Sequence, residues 1–235
     1  MADSVPSRSP WQNATVLEIR DETPRAKTFR LALAEASTHL AGQHFVVRLT
    51  APDGYTATRS YSVASPPDGT NELELTVERL EGGEVSTFLH DELVVGDDLE
   101  VRGPIGGWFV WQGDTPALLI GGGSGLVPLM AMLRLARRTG RADAVKLVVS
   151  ARTPDDLYYA DELPGPETTI VYTRETPSSF ARRPGRLTAG DLPEIAPGAV
   201  AYVCGSAGFA DAATDLIIDA GVPSSSIRVE RFGPS

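Results

Sequence analysis

Residues Ala117-Leu118-Leu119-Ile120 form a continuous apolar run, and Gly121-Gly122-Gly123-Ser124-Gly125 follows without a break. Beyond the glycines, Leu126, Leu129, Met130 and Leu133 recur at the spacing of one helical face. A buried strand, a glycine turn and an amphipathic helix in direct succession constrain the fold more than any other stretch. A helix that follows a strand in this way returns the chain over the sheet, so the next strand runs parallel to the first. The pattern continues: residues 145–149, 169–172 and 200–204 read as buried strands, 207–220 as a helix and 227–230 as a last strand. The second half is therefore predicted to be an α/β domain with helices on both faces of a parallel sheet.

The first half is written differently. Residues 15–19, 28–31, 45–49 and 73–77 are short, β-rich and partly alternating, separated by Gly, Pro and Asp. One helix, 85–91, precedes a further strand at 99–101. Short strands at this spacing predict an antiparallel β-barrel. With the change of pattern placed after the Gly103-Pro104 and Gly106-Gly107 turns, the expected division is a flexible N-terminus at 1–10, a barrel at 11–112 and the α/β domain at 113–235.

Net charge is −10, which argues against a nucleic-acid partner, since that affinity rests on Lys and Arg neutralising phosphates. No apolar run approaches the ~20 residues that span a bilayer, and the polar start shows no signal-peptide core. A cytoplasmic protein without a membrane partner is expected. The single cysteine, Cys204, cannot supply the set of thiolates that a plant-type iron–sulfur cluster requires. His39, His44 and His90 lack metal-ligand spacing, and no metal site is expected. Arg134, Arg137, Arg138 and Arg141 read as the solvated face of their helix. Asp155-Asp156 and Asp161-Glu162 read as solvated carboxylates.

Three segments carry the chemistry. Gly121–Gly125 offers free N–H groups at a helix start, the setting in which a dinucleotide pyrophosphate is held, with Gly122, Gly123, Ser124 and Gly125 as its contacts. Gly82-Gly83-Glu84-Val85-Ser86 makes a second such opening, through Gly82, Gly83, Val85 and Ser86. Read alone, it equally makes a tight turn capped by Ser86. In Arg59-Ser60-Tyr61-Ser62, strand alternation puts Arg59 and Tyr61 on one face, about 7 Å apart. There a guanidinium can hold a phosphate oxygen and the ring can cover a flat ligand. Read alone, this is also an ordinary hairpin strand.

Taken together and in this order, the motifs resemble the ferredoxin–NADP reductase-like family of flavin oxidoreductases, from about residue 11 onward. Arg59-Ser60-Tyr61-Ser62 matches the family's Arg-x-Tyr-Ser flavin motif, and Gly121–Gly125 looks like its nicotinamide loop. Cys204-Gly205-Ser206 is similar to its Cys-Gly-Pro turn, with Ser206 in place of the proline. The resemblance implies a Greek-key barrel that binds FAD and an α/β domain that binds NADPH, with NADH as the alternative. It implies Ser62 near flavin N5, Cys204 and Gly205 beside the nicotinamide, and Glu230 with Ser62 and Cys204 as catalytic residues. Phe232 is expected over the flavin. Arg152 and the pair Thr173-Arg174 are expected at the 2′-phosphate of NADPH. The implied partner is a separate electron acceptor: a ferredoxin, a haem or Rieske-type oxygenase, or a small quinone, free flavin or ferric chelate. A non-catalytic flavin-binding redox subunit is the remaining alternative.

Overall fold

A computed structural model describes residues 9–36 and 38–233. The expected flexible N-terminus lies almost wholly outside them. The first half builds six antiparallel strands: β1 (Trp11–Thr23), β2 (Ala26–Leu33), β3 (His44–Thr50), β4 (Thr56–Ser62), β5 (Glu72–Glu78) and β6 (Asp98–Ile105). Their order across the sheet is β4-β3-β6-β1-β2-β5. A bridge from Val63 to Leu75 brings the two outer strands together and closes the barrel. Inward residues such as Phe29, Leu31, Phe45, Val47, Leu75 and Val101 fill it. Helix α1 (Glu84–Asp91) packs Val85 and Leu89 against this core.

The second half is a five-stranded parallel sheet: β7 (Ala117–Gly122), β8 (Val145–Ala151), β9 (Thr168–Tyr172), β10 (Val200–Ser206) and β11 (Ile227–Phe232), in the order β11-β10-β7-β8-β9. Helices α2 (Leu126–Arg138) and α3 (Ala207–Asp219) connect strands. Their buried residues join two different apolar clusters, one for each face of the sheet. The strand order reverses between β7 and β10, the switch point at which open α/β sheets take ligands. Among the described residues no helix is long and apolar enough to cross a membrane.

The two halves share a core. Ala26, Ala41 and Ala64 of the barrel belong to the same apolar cluster as α2 and β8. Gly42 lies at this seam with φ +103°, and a Cβ there would stand 1.9 Å from the Phe109 carbonyl oxygen.

Candidate nucleotide and flavin sites

At the switch point, the glycine loop leaves β7 as a single 3₁₀ turn, Gly123–Gly125, that runs straight into α2. Gly123 takes φ +58°, a left-handed conformation that side chains disfavour. Gly125 is required for a different reason: a Cβ would lie 2.2 Å from the Cys204 carbonyl oxygen. The loop after β7 thus touches the end of β10 backbone to backbone. Phe209, in the first turn of α3, lays its ring across both tips, 2.9 Å from a Cβ built on Gly122 and 2.6 Å from one on Gly205. Ser124 and Gly122 stay partly open.

Cys204 is fully buried at the end of β10, and its register partner on β11 is Glu230. Burial pushes the thiol well above its usual range, and the nearby Glu230 carboxylate adds to that. Burial also raises the Glu230 carboxyl to about 7. Phe232 lies within β11 opposite Ser206 and packs against the core cluster that contains α2. It is therefore an ordered strand residue rather than a frayed end.

In the barrel, Arg59 and Tyr61 share a face of β4 and are both half-buried, whereas Ser60 between them is exposed. Arg59 donates to its neighbour's carbonyl, Thr58 O, at 2.7 Å, and among the described residues it has no carboxylate partner. Tyr61 packs against the barrel core, and burial pushes its phenol up to about 12. Ser62 ends β4 and is 9% exposed. At the start of α1 the first helical bond runs from Thr87 N to Gly83 O, so the N–H groups of Glu84, Val85 and Ser86 lie ahead of it.

Several side chains depart from expectation. The Ser86 hydroxyl accepts from Leu80 N at 3.1 Å and donates to Gly83 O at 3.3 Å, so it serves the turn, and the Val85 side chain lies in the core. Only their N–H groups are left for an anion. Arg152, Thr173 and Arg174 do come together, because Thr173 N donates to Ala151 O and Arg174 N to Arg152 O. The Arg152 guanidinium, however, is paired with Asp156 at 2.8 Å. The arginine face of α2 is solvated as expected only at Arg138 and Arg141, whereas Arg134 and Arg137 are partly buried and paired. Arg134 holds Glu74 and Glu162, Arg137 holds Glu167, and Arg138 donates to Pro67 O. Glu162 is likewise bound rather than free.

Whether these residues fit the two cofactors rests on three features. The loop leaves open space at Gly123 while Gly125 seats it on the end of β10, Arg59 has no carboxylate partner among the described residues, and α1 presents unbonded N–H groups. All three suit pyrophosphates.

The oxidoreductase FAD-binding domain profile matches residues 13–110, and the oxidoreductase NAD-binding domain profile matches residues 119–215. The chain is 32% identical to ferredoxin–NADP reductase B of Sorangium cellulosum, over 93% of this chain and 96% of that protein. It is 30% identical to the ferredoxin–NAD(P)(+) reductase component of the naphthalene 1,2-dioxygenase/salicylate 5-hydroxylase systems of a Ralstonia species, over 94% of this chain and 69% of that one. The chain belongs to the ferredoxin–NADP reductase-like family. Among solved structures, the Amycolatopsis cytochrome P450 reductase GcoB superposes with a TM-score of 0.78 at 30% identity, covering 100% of this chain and 74% of that one. Other relatives are longer: the chain spans 65% of an Acinetobacter pittii phenol hydroxylase P5 protein and 51% of a Rhodococcus jostii propane 2-monooxygenase reductase. As a member of this family the chain is an FAD-dependent NAD(P)H oxidoreductase.

Arg134 and Glu162, expected to be solvated, and Tyr159, which the sequence reading passes over, join the two halves. The available signals were Thr28 and Thr76, polar residues within otherwise well-filled strands, and the paired Tyr158-Tyr159 in a polar loop.

Proposed function

We propose that this chain takes hydride from NADPH in the cytoplasm and passes the electrons to a separate acceptor. FAD, when bound, accepts the hydride and can release its electrons one at a time. Arg59 and the N–H groups of α1 hold the flavin pyrophosphate, while Tyr61 covers the ring and Ser62 stands at its reacting edge. Gly122–Gly125 hold the nicotinamide nucleotide's pyrophosphate. Cys204, Gly205 and Glu230 shape the nicotinamide pocket, and Phe232 covers the flavin from the nucleotide side. The observation that carries this reading is the backbone contact between Gly125 and Cys204, which brings the pyrophosphate loop and the proposed nicotinamide pocket to one point of the sheet.

Donor choice rests on Arg152, Thr173 and Arg174 at the ends of β8 and β9. Arg152 must exchange Asp156 for a phosphate, so a preference for NADPH of roughly 10-fold is expected, smaller than two unpaired arginines would give. Comparison of kcat/KM for the two nucleotides tests this: Arg152→Ala/Arg174→Ala should erase the preference, and equal efficiencies in the wild-type protein would overturn it.

For the acceptor, two classes compete. Relatives named as reductase components of oxygenase systems support a protein acceptor. A small acceptor such as a quinone or ferric chelate is favoured by a different observation: Arg134, Arg137 and Arg138 are all engaged, and the net charge is −10. An acidic ferredoxin thus finds no free arginine row on α2. Steady-state rates with ferricyanide, menadione and a purified ferredoxin separate the two.

A further inference from the structure

A continuous set of hydrogen bonds crosses from the α/β domain to the outer face of the barrel. Tyr159, 2% exposed in the loop after β8, bonds Thr76 Oγ1 on β5 at 2.6 Å. Thr76 bonds Thr28 Oγ1 on β2 at 2.6 Å, and Thr28 donates to Glu22 Oε1 on β1 at 2.8 Å. The other Glu22 oxygen accepts from Tyr159 N at 3.3 Å, which closes the circuit. Arg20 holds the same carboxylate at 3.0 Å.

The direction of every proton follows from chemistry. A carboxylate only accepts, so Thr28 spends its single proton on Glu22. Thr76 must then donate to Thr28, and Tyr159 must donate to Thr76. Burial raises the Tyr159 phenol, so that proton stays in place.

A second tie lies beside the first. Arg134, on the helix that the glycine loop opens, donates to Ala64 O at 3.0 Å and to Glu74 at 2.6 Å. Its other side holds Glu162, three residues beyond Tyr159. Ala64 is two residues from Ser62, and Thr76 adjoins Leu75, the strand partner of Val63. The two ties therefore run from helix α2 and the loop after β8 to the segment next to Ser62.

We infer that Tyr159 and Arg134 are positioning residues that set the separation between nicotinamide and flavin. This inference rests on the hydride-transfer reading above. Hydride transfer is steep in distance and angle, and a misplacement of about 1 Å costs on the order of 100-fold. A hinge between the halves filled only with alanines would leave that separation loosely fixed. Three hydroxyls with one allowed bond direction and a bidentate arginine fix it in one register.

The test compares wild type, Tyr159→Phe and Tyr159→Phe/Thr76→Val by stopped-flow reduction at saturating NADPH. Thermal unfolding, flavin content and amide exchange at residues 62–75 are measured on the same samples. Tyr159→Phe removes one donor and leaves Thr76 still donating to Thr28. Reduction should slow roughly 10-fold, the long-wavelength flavin–nicotinamide charge-transfer absorbance should weaken, and exchange at 62–75 should rise with flavin content unchanged. The double variant removes the hydroxyl left without a donor at position 76, together with its bond to Thr28, which still donates to Glu22; it should regain part of the lost thermal stability without recovering the rate. Recovery of rate along with stability, or a wild-type rate in Tyr159→Phe, would overturn the inference. Absence of flavin reduction in the wild type under both NADPH and NADH would instead overturn the reading it rests on. Arg134→Lys, which keeps the charge and loses the fork, provides an independent variant with the same expected split between rate and affinity.

Discussion

In the α/β half the proposed ligand surface at the β7–β10 switch is mostly backbone, with Gly125 against Cys204 and one phenyl ring across two glycines. In the barrel it is made of side chains, with Arg59 and Tyr61 carried on one face of β4. The two constructions fail differently. A backbone cradle has no tolerance for added atoms, because the atom it would meet is main chain and cannot rotate away. A side-chain surface loses affinity one group at a time while the strand beneath it stays paired.

Gly125→Ala is the sharpest way to break that contrast. Its Cβ would stand 2.2 Å from a carbonyl oxygen, and overpacking of this kind costs about 1–3 kcal/mol. Titration of flavin absorbance should show nucleotide binding weakened by about 100-fold, the upper end of that cost, together with a lower Tm. Near-normal binding would show that the loop is held elsewhere. Arg59→Ala should be milder and confined to one ligand. Losing a charge-assisted bond worth about 1.5–3 kcal/mol weakens FAD by ~10–100-fold, with Tm of the flavin-free protein unchanged. Flavin retained through gel filtration as in wild type would remove Arg59 from the site.

The smallest effect is expected at Glu230, whose carboxyl is raised to about 7 by burial. Below that pH it is neutral, and above it is a carboxylate that, beside the proposed nicotinamide, would favour the positive charge left when hydride departs. The rate of flavin reduction should therefore rise as pH increases through about 7, by roughly 5-fold for a partly screened charge worth about 1 kcal/mol. Glu230→Gln should give a flat profile at the lower rate. Folding stability runs the opposite way: a raised carboxyl favours the folded state at acid pH, and that contribution is lost as pH climbs through 7. An unaltered pH profile in Glu230→Gln would separate the residue from the reaction.

Sequence reasoning did best where local chemistry decides the structure. Helix α2 begins where the glycine loop starts it and buries Leu126, Leu129, Met130 and Leu133, as their spacing predicts. It did worse where a remote partner decides. Strand β1 extends over Trp11–Thr23 rather than 15–19, since most of its outer residues are polar and gain their pairing from β2 and β6. Arg134 reads as solvated because Glu74 lies 60 residues away and on the other domain. The Arg152–Asp156 pair is a local contact four residues long and could have been read from spacing.

The lone thiol, Cys204, gives this molecule a built-in clock. It is fully covered, and burial keeps it a thiol, so an alkylating reagent does not reach it in the closed fold. With no other thiol in the sequence to compete, every labelling event records one opening of the β10 end. The alkylation rate in native buffer thus reads out how often the switch point breathes. The slowing of that rate by NADPH or NADH measures how firmly each nucleotide keeps it shut.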